Sequence, residues 1–234
     1  MATTVGVIGI ASAESARYAL FYSALTRVAK PPHTALAHAM GSTISHCRNQ
    51  IAEQAIAADA EWIWYVDDDQ LFPPDTLLKL LARNVDVVSG LNIRRDPPFA
   101  PYLYDKETVN GAVWTKHLTT GDGGLQQVLA TSAGCLLVRT KVLKALEPPY
   151  WRLGQIGGLN GTEHAGEDLD FCRRVRANGF TIWCDLDAPI GHLTTMVVSP
   201  TVTDGVWTTT VADKEGTPFM QLDAAQPPPS GIPA

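Results

Sequence analysis

The sequence has no surplus of positive charge: 18 Lys and Arg stand against 24 Asp and Glu, a formal net charge of -6 over 234 residues. That excludes a basic field over the whole surface and leaves only a local patch for contact with nucleic acid or an anionic membrane. Long apolar runs are absent too. No stretch approaches the length of a membrane span, and the start MATTVGVIGIASAESARY has no basic segment ahead of a long apolar one, so a soluble, cytoplasmic protein is expected. Cysteine is sparse: Cys47, Cys135, Cys172 and Cys184 form no CxxC pair and no Cys/His cluster at zinc spacing. This argues against a structural zinc or a disulfide framework and for free, mostly buried thiols.

What is present is alternation. TTVGVIGI reads as a buried parallel strand, Ser12 stands where it can cap a helix over Glu14 to Val28, PPHTALAHAM gives a second strand, and GSTISHCRNQIAEQAIAADA a helix. A third strand, WIWYV, is followed by a helix in PPDTLLKLLAR, whose Pro and Asp suit a first turn, and by a fourth strand, VDVVSG. QQVLATSAGCLLV reads as a further strand, RTKVLKAL and GEDLDFCRRVRANGF as helices, the latter stopped at Asn178 and Gly179, and TIWCDLDAPIGH as the last strand. Such alternation implies a largely parallel, doubly wound sheet whose ligands bind beyond the carboxyl ends of the strands. Residues 91–130, rich in Pro, Gly and aromatics, read as added β structure and loops. One domain over 1–195 and an extension over 196–234, flexible at its Pro-rich end, is the expected division.

Three elements carry candidate chemistry. Asp67, Asp68 and Asp69 stand side by side at the end of the third strand, where three carboxylates repel one another unless a cation relieves them. Two carboxylates separated by one residue can hold Mg²⁺ or Mn²⁺, which completes its shell with substrate phosphates. A polar turn with Asp capping the following N–H groups is the plain alternative. Glu167 and Asp168 open a helix after the glycine-rich GQIGGLNGTEHAG, where helix capping is again a sufficient reason for acidity. His192, just past a strand, can complete a metal site or serve packing.

The ordered set HCRNQIAEQAI, YVDDDQLFPPDTLLKLL, VVSGLNIRR, SAGCLLVRTKVLKAL, GEDLDFCRRVRANGF and IGH resembles glycosyltransferases of the GT-A fold, similar to family 2 and to the short bacteriophage versions. The resemblance implies a Rossmann-like α/β/α sandwich with a mostly parallel central sheet and a small added β region. It implies a metal-dependent transferase moving a sugar from a nucleotide-sugar donor, a UDP-sugar first among them, to an acceptor hydroxyl with inversion. Asp67 and Asp69 match the DxD motif and with His192 the Mn²⁺ or Mg²⁺ ligands; Asp68 fills the middle position near the nucleotide ribose. Arg48 matches an arginine near the nucleotide, Asp168 the catalytic base, and Glu167 a residue that binds the acceptor or orients the site.

The acceptor stays open among a hydroxymethylated pyrimidine in phage DNA, a polysaccharide or lipid-linked glycan, and a protein; a phage origin would place the enzyme in the host cytoplasm. The basic clusters are IRR at 93–95 and RRVR at 173–176. Tyr150 and Trp151 stand where they can form a stacking platform or ordinary packing. A two-metal nuclease or nucleotidyltransferase, or a non-catalytic carbohydrate-binding protein on the same fold, are the competing readings.

Overall fold

The structure is a computed structural model and describes residues 4–12, 18–41, 43–107, 113–116, 118–119, 122–156 and 163–223. The chain divides into two compact units, Met1–Arg94 with Ala100–Leu193, and Arg95–Phe99 with Thr194–Ala234. The first begins β1 (Gly6–Ser12), α1 (Ala19–Arg27), β2 (Thr34–Met40), α2 (Ile44–Ala57), β3 (Trp62–Asp67), β4 (Gln70–Leu71), α3 (Thr76–Ala82) and β5 (Val87–Leu91). It continues with β6 (Leu103–Glu107), β7 (Val113–Thr115), β8 (Leu125–Val128), β9 (Ala130–Thr131), β10 (Cys135–Arg139), α4 (Thr140–Lys144), β11 (Gly154–Ile156) and β12 (Glu163–Ala165). Helix α5 (Glu167–Ala177), β13 (Ile182–Pro189) and β14 (Gly191–His192) close it.

Seven strands form the central sheet in the order β2-β1-β3-β10-β5-β13-β8. β2, β1, β3, β5 and β13 run one way, and β10 and β8 run against them. The sheet is therefore mostly parallel, as expected, with β10 reversed between β3 and β5. QQVLATSAGCLLV is not one strand but three: the small residues Ser132, Ala133 and Gly134 form a turn, in which the Gly134 N–H donates to Ser132 Oγ at 3.1 Å, and the chain comes back as β10. The added β region is the small sheet β7-β6-β9.

Side chains alternate across the sheet and build a core on each face. Along β3, Trp62, Trp64 and Val66 pack with Phe21 of α1 and Leu77 and Leu80 of α3. Ile63 and Tyr65 point the other way, to Cys47, Ile51 and Ala55 of α2, Val142 and Leu143 of α4, and Phe171 and Val175 of α5. This is the α/β/α sandwich. Each buried tryptophan removes roughly 200 Å² from water, a gross gain of about 5 kcal/mol before entropy is counted. Helix α2 lies close on β1 at Gly9, where an added Cβ would stand 2.4 Å from Ile51 Cγ2.

The helix ends follow local chemistry, with two departures from the sequence reading. Thr43 caps α2 by accepting the His46 N–H at 3.2 Å, and α5 stops at Asn178 followed by Gly179 at φ +84°. Ser12 is not a helix cap: it ends β1, with Oγ 3.0 Å from His38 Nε2 on β2. Helix α1 begins at Ala19, and residues 14–17 of the expected helix lie outside the described residues. All four cysteines are free and buried.

In the second unit, where the sequence reading placed no elements, β15 (Val197–Thr203), β16 (Val206–Ala212) and β17 (Pro218–Asp223) form an antiparallel meander. Asp204 and Gly205, both at positive φ (54° and 78°), make the tight turn between β15 and β16. The Phe99 ring meets Phe219 edge-on at 5.4 Å. The Pro-rich end, 224–234, lies outside the described residues.

Candidate active site

The carboxyl end of β3 delivers the three aspartates. Asp67 is a quarter exposed, Asp68 and Asp69 are buried, and the Asp67 N–H donates to the Gly134 carbonyl at 3.0 Å. The turn before β10 therefore lies directly against the aspartates. A Cβ on Gly134 would sit 3.1 Å from Gln70 Nε2 and 3.4 Å from Asp67 Oδ2, so a side chain there would press on Gln70 beside the aspartates.

Arg48 of α2 joins the two acidic clusters. Its guanidinium is 2% exposed, and Nη2 donates to both oxygens of Asp67 at 2.9 and 3.0 Å. Nη1 donates to Asp168 Oδ1 at 2.7 Å and to Glu167 Oε1 at 3.1 Å, both in the first turn of α5. The other oxygen of Asp168 accepts the Ala133 N–H at 3.2 Å. Below the guanidinium lies Trp151, its ring centroid 5.1 Å from Cζ. Trp151 is itself buried, stacked on Phe171 at 4.0 Å and tied to Asn49 by reciprocal hydrogen bonds of 2.7 and 3.0 Å. It is a core residue and a floor for Arg48, so of the two readings offered for Trp151 the structure supports ordinary packing.

One cation faces three carboxylates here, and the titration follows from that. Burial disfavours the charged Arg48, but Asp67, Asp168 and Glu167 outweigh it and hold its pKa above the ordinary value. Burial pushes the Asp168 carboxyl up to about 6; Arg48 opposes the rise, and the negative neighbours Glu167 and Asp67 add to it.

Asp69 and His192 form a second pair on the same edge. Strand β14 pairs with β4, setting His192 opposite Gln70 and bringing His192 Nε2 to 3.3 Å from Asp69 Oδ2. Gln70 Nε2 donates to Asp69 Oδ1 at 3.2 Å, and the ring's Nδ1 is 2.9 Å from the Ile93 carbonyl. A carbonyl can only accept, so Nδ1 donates to it, and Nε2 faces the carboxylate oxygen. An imidazole nitrogen and a carboxylate oxygen at that distance share a proton, and once it is released both are donor types that a divalent cation accepts. Asp67, the third ligand expected from the sequence, is engaged by Arg48 instead. Among the described residues no group of three or more His, Cys, Asp and Glu gathers around a common point. Beside the Ile93 carbonyl opens a largely apolar recess of about 420 Å³, lined by Leu91, Ile93, Pro101, Lys116 and Leu118.

The basic cluster of α5 is taken up internally. Arg173 and Arg176 both clamp Glu107 at 2.6 Å, and Arg174 donates to the carbonyls of Glu147, Pro149 and Tyr150. Asn49, Gln70, Ala133, Gly134 and the Ile93 carbonyl had not been singled out from the sequence. The Arg-Asn pair within HCRN and the small run SAG before a strand were their signals.

No known protein family matches the sequence, and no curated protein matches it. Solved structures match in shape. A197 from STIV aligns with TM-score 0.55 at 13% identity over 95% of this chain and 96% of its own. TarS from S. aureus, residues 1-349, aligns with TM-score 0.50 at 16% identity over 79% of this chain and 59% of its own. The central sheet, its two helical layers and these structural neighbours define a GT-A-like fold with an added β region.

Proposed function

We propose that the chain is a metal-dependent glycosyltransferase that moves a sugar from a nucleotide-sugar donor, a UDP-sugar first, to an acceptor hydroxyl with inversion. The observation that carries this reading is the meeting of Asp67 with Glu167 and Asp168 around one buried arginine on the carboxyl edge of the sheet, where the Asp69–His192 pair also lies. Asp168 is the base. A carboxyl group titrating near 6 is ionised at neutral pH and still basic enough to accept a proton in the transition state. As the acceptor oxygen bonds to the sugar's anomeric carbon, the bond to the diphosphate breaks and the acceptor proton passes to Asp168.

Asp69 and His192 fit a divalent ion by their donor types, with Asp67 outside the set. Such an ion, Mn²⁺ or Mg²⁺, would neutralise charge on the leaving nucleoside diphosphate. Asp68 lies between, and the resemblance assigns it to the ribose. The acceptor classes remain the glycan, the protein and the hydroxymethylated base in DNA. The internal pairing of Arg173, Arg174 and Arg176 withdraws that cluster from the phosphates of a duplex, whereas Arg94 and Arg95 are exposed, so the acceptor screen has to include all of these classes.

Thermal unfolding against nucleoside diphosphates and nucleotide sugars, each with and without Mn²⁺, tests the reading. A ligand at a hundred times its Kd adds about 2.7 kcal/mol and raises Tm by about 5–10 °C for a chain of this size. The expected result is a rise that requires both metal and one nucleotide and disappears in His192→Ala. A rise with nucleotide alone would remove the metal from the proposal, and no rise with any pair would overturn it.

A further inference from the structure

We infer that Arg48 is a positioning residue, which fixes the carboxylate of Asp168 relative to Asp67, and not a contact to the donor nucleotide as the resemblance suggests. The inference rests on the proposed transferase reading. Both Nη atoms have acceptors: Nη2 the two oxygens of Asp67, Nη1 those of Glu167 and Asp168. The Nε–H is buried with no hydrogen-bond acceptor among the described residues, so no donor faces outward. Trp151 covers one side of the plane, and 2% exposure leaves no path for a phosphate.

What the arrangement does accomplish is orientation. A planar guanidinium offers donors in a rigid fork, and here the fork spans α2, the end of β3 and the first turn of α5. Asp168 is held through both oxygens, by Arg48 on Oδ1 and by the Ala133 N–H on Oδ2, so its carboxylate plane is set before substrate arrives. Without the fork, three carboxylates repel one another across the site. Lysine supplies the charge from a single nitrogen and cannot bridge all three.

The test compares wild type, Arg48→Lys and Arg48→Ala, reading donor binding by calorimetry apart from the rate of transfer. Melting curves establish that each variant is folded, and Arg48→Lys keeps the charge if Arg48→Ala does not fold. The expected result for Arg48→Lys is donor Kd and KM within about threefold of wild type and kcat lower by about 10²-fold, the penalty of a misplaced reacting group. Free guanidinium should restore part of kcat in Arg48→Ala. A tenfold or greater rise in donor Kd with kcat preserved would overturn the inference, as would full kcat in Arg48→Lys. A wild type that neither binds a nucleotide nor transfers sugar would instead sink the transferase reading, and with it this role.

Discussion

Acidification offers a quantitative probe of the charged site. The Asp168 carboxyl titrates near 6 in the folded protein, against about 3.9 in an unfolded chain. Between those values the folded state keeps a proton that the unfolded state has released, so stability falls as pH rises through the window. The span of about two units corresponds to about 2–3 kcal/mol, present below pH 4 and gone above pH 6. Glu107 acts in the opposite sense. Burial pushes its carboxyl up, but the hydrogen bonds from Arg173 and Arg176 outweigh this and hold it below the ordinary value. Its stabilisation is lost only as pH falls below the ordinary glutamate range, so the two windows separate. Urea unfolding of wild type and Asp168→Asn between pH 4.5 and 7.5 isolates the titration of this carboxylate cluster, because groups distant from it cancel in the difference. The wild type should lose stability relative to the variant by up to about 1.4 kcal/mol per pH unit as pH rises. A difference that is flat, or that grows in favour of the wild type toward pH 7, would mean that Arg48 dominates over burial and refute the reasoning.

Other perturbations report on the scaffold and the chemistry. Asp185 is fully buried and receives Arg83 Nε at 2.8 Å and Nη2 at 2.6 Å, so Arg83→Met should cost about 3 kcal/mol in urea unfolding by stranding a buried charge. Gly9→Ala should cost about 1–3 kcal/mol by pressing on Ile51, and much less in an Ile51→Ala background, a coupling that a double-mutant cycle measures. Under the proposed function, Asp168→Asn should lower transfer by about 10²–10⁴-fold while donor binding by calorimetry stays close to wild type.

The order of strands and helices was legible because burial imposes local periods, and the alternation of Trp62, Trp64 and Val66 with Ile63 and Tyr65 is such a record. The edge on which Asp67 to Asp69, Asp168 and His192 gather followed from that order. Strand direction leaves no local trace, so the reversal of β10 was invisible. The meander after His192 did leave signals, a run of Val and Thr on either side of an Asp-Gly turn, which the loss of α/β alternation obscured. The place of Arg48 could not be read at all. Its partners Glu167 and Asp168 lie 119 and 120 residues away, and no periodicity reports which distant carboxylate a buried cation will meet.

That separation also orders the assembly of the site in time. Asp67 is 19 residues from Arg48, so the two can form a neutral pair within the first third of the chain. Glu167 and Asp168 leave the ribosome about a hundred residues later, roughly 5–20 s at ordinary rates of synthesis. Glu167 and Asp168 are thus the last of Arg48's partners to be made, and the surplus negative charge of the finished site enters with them.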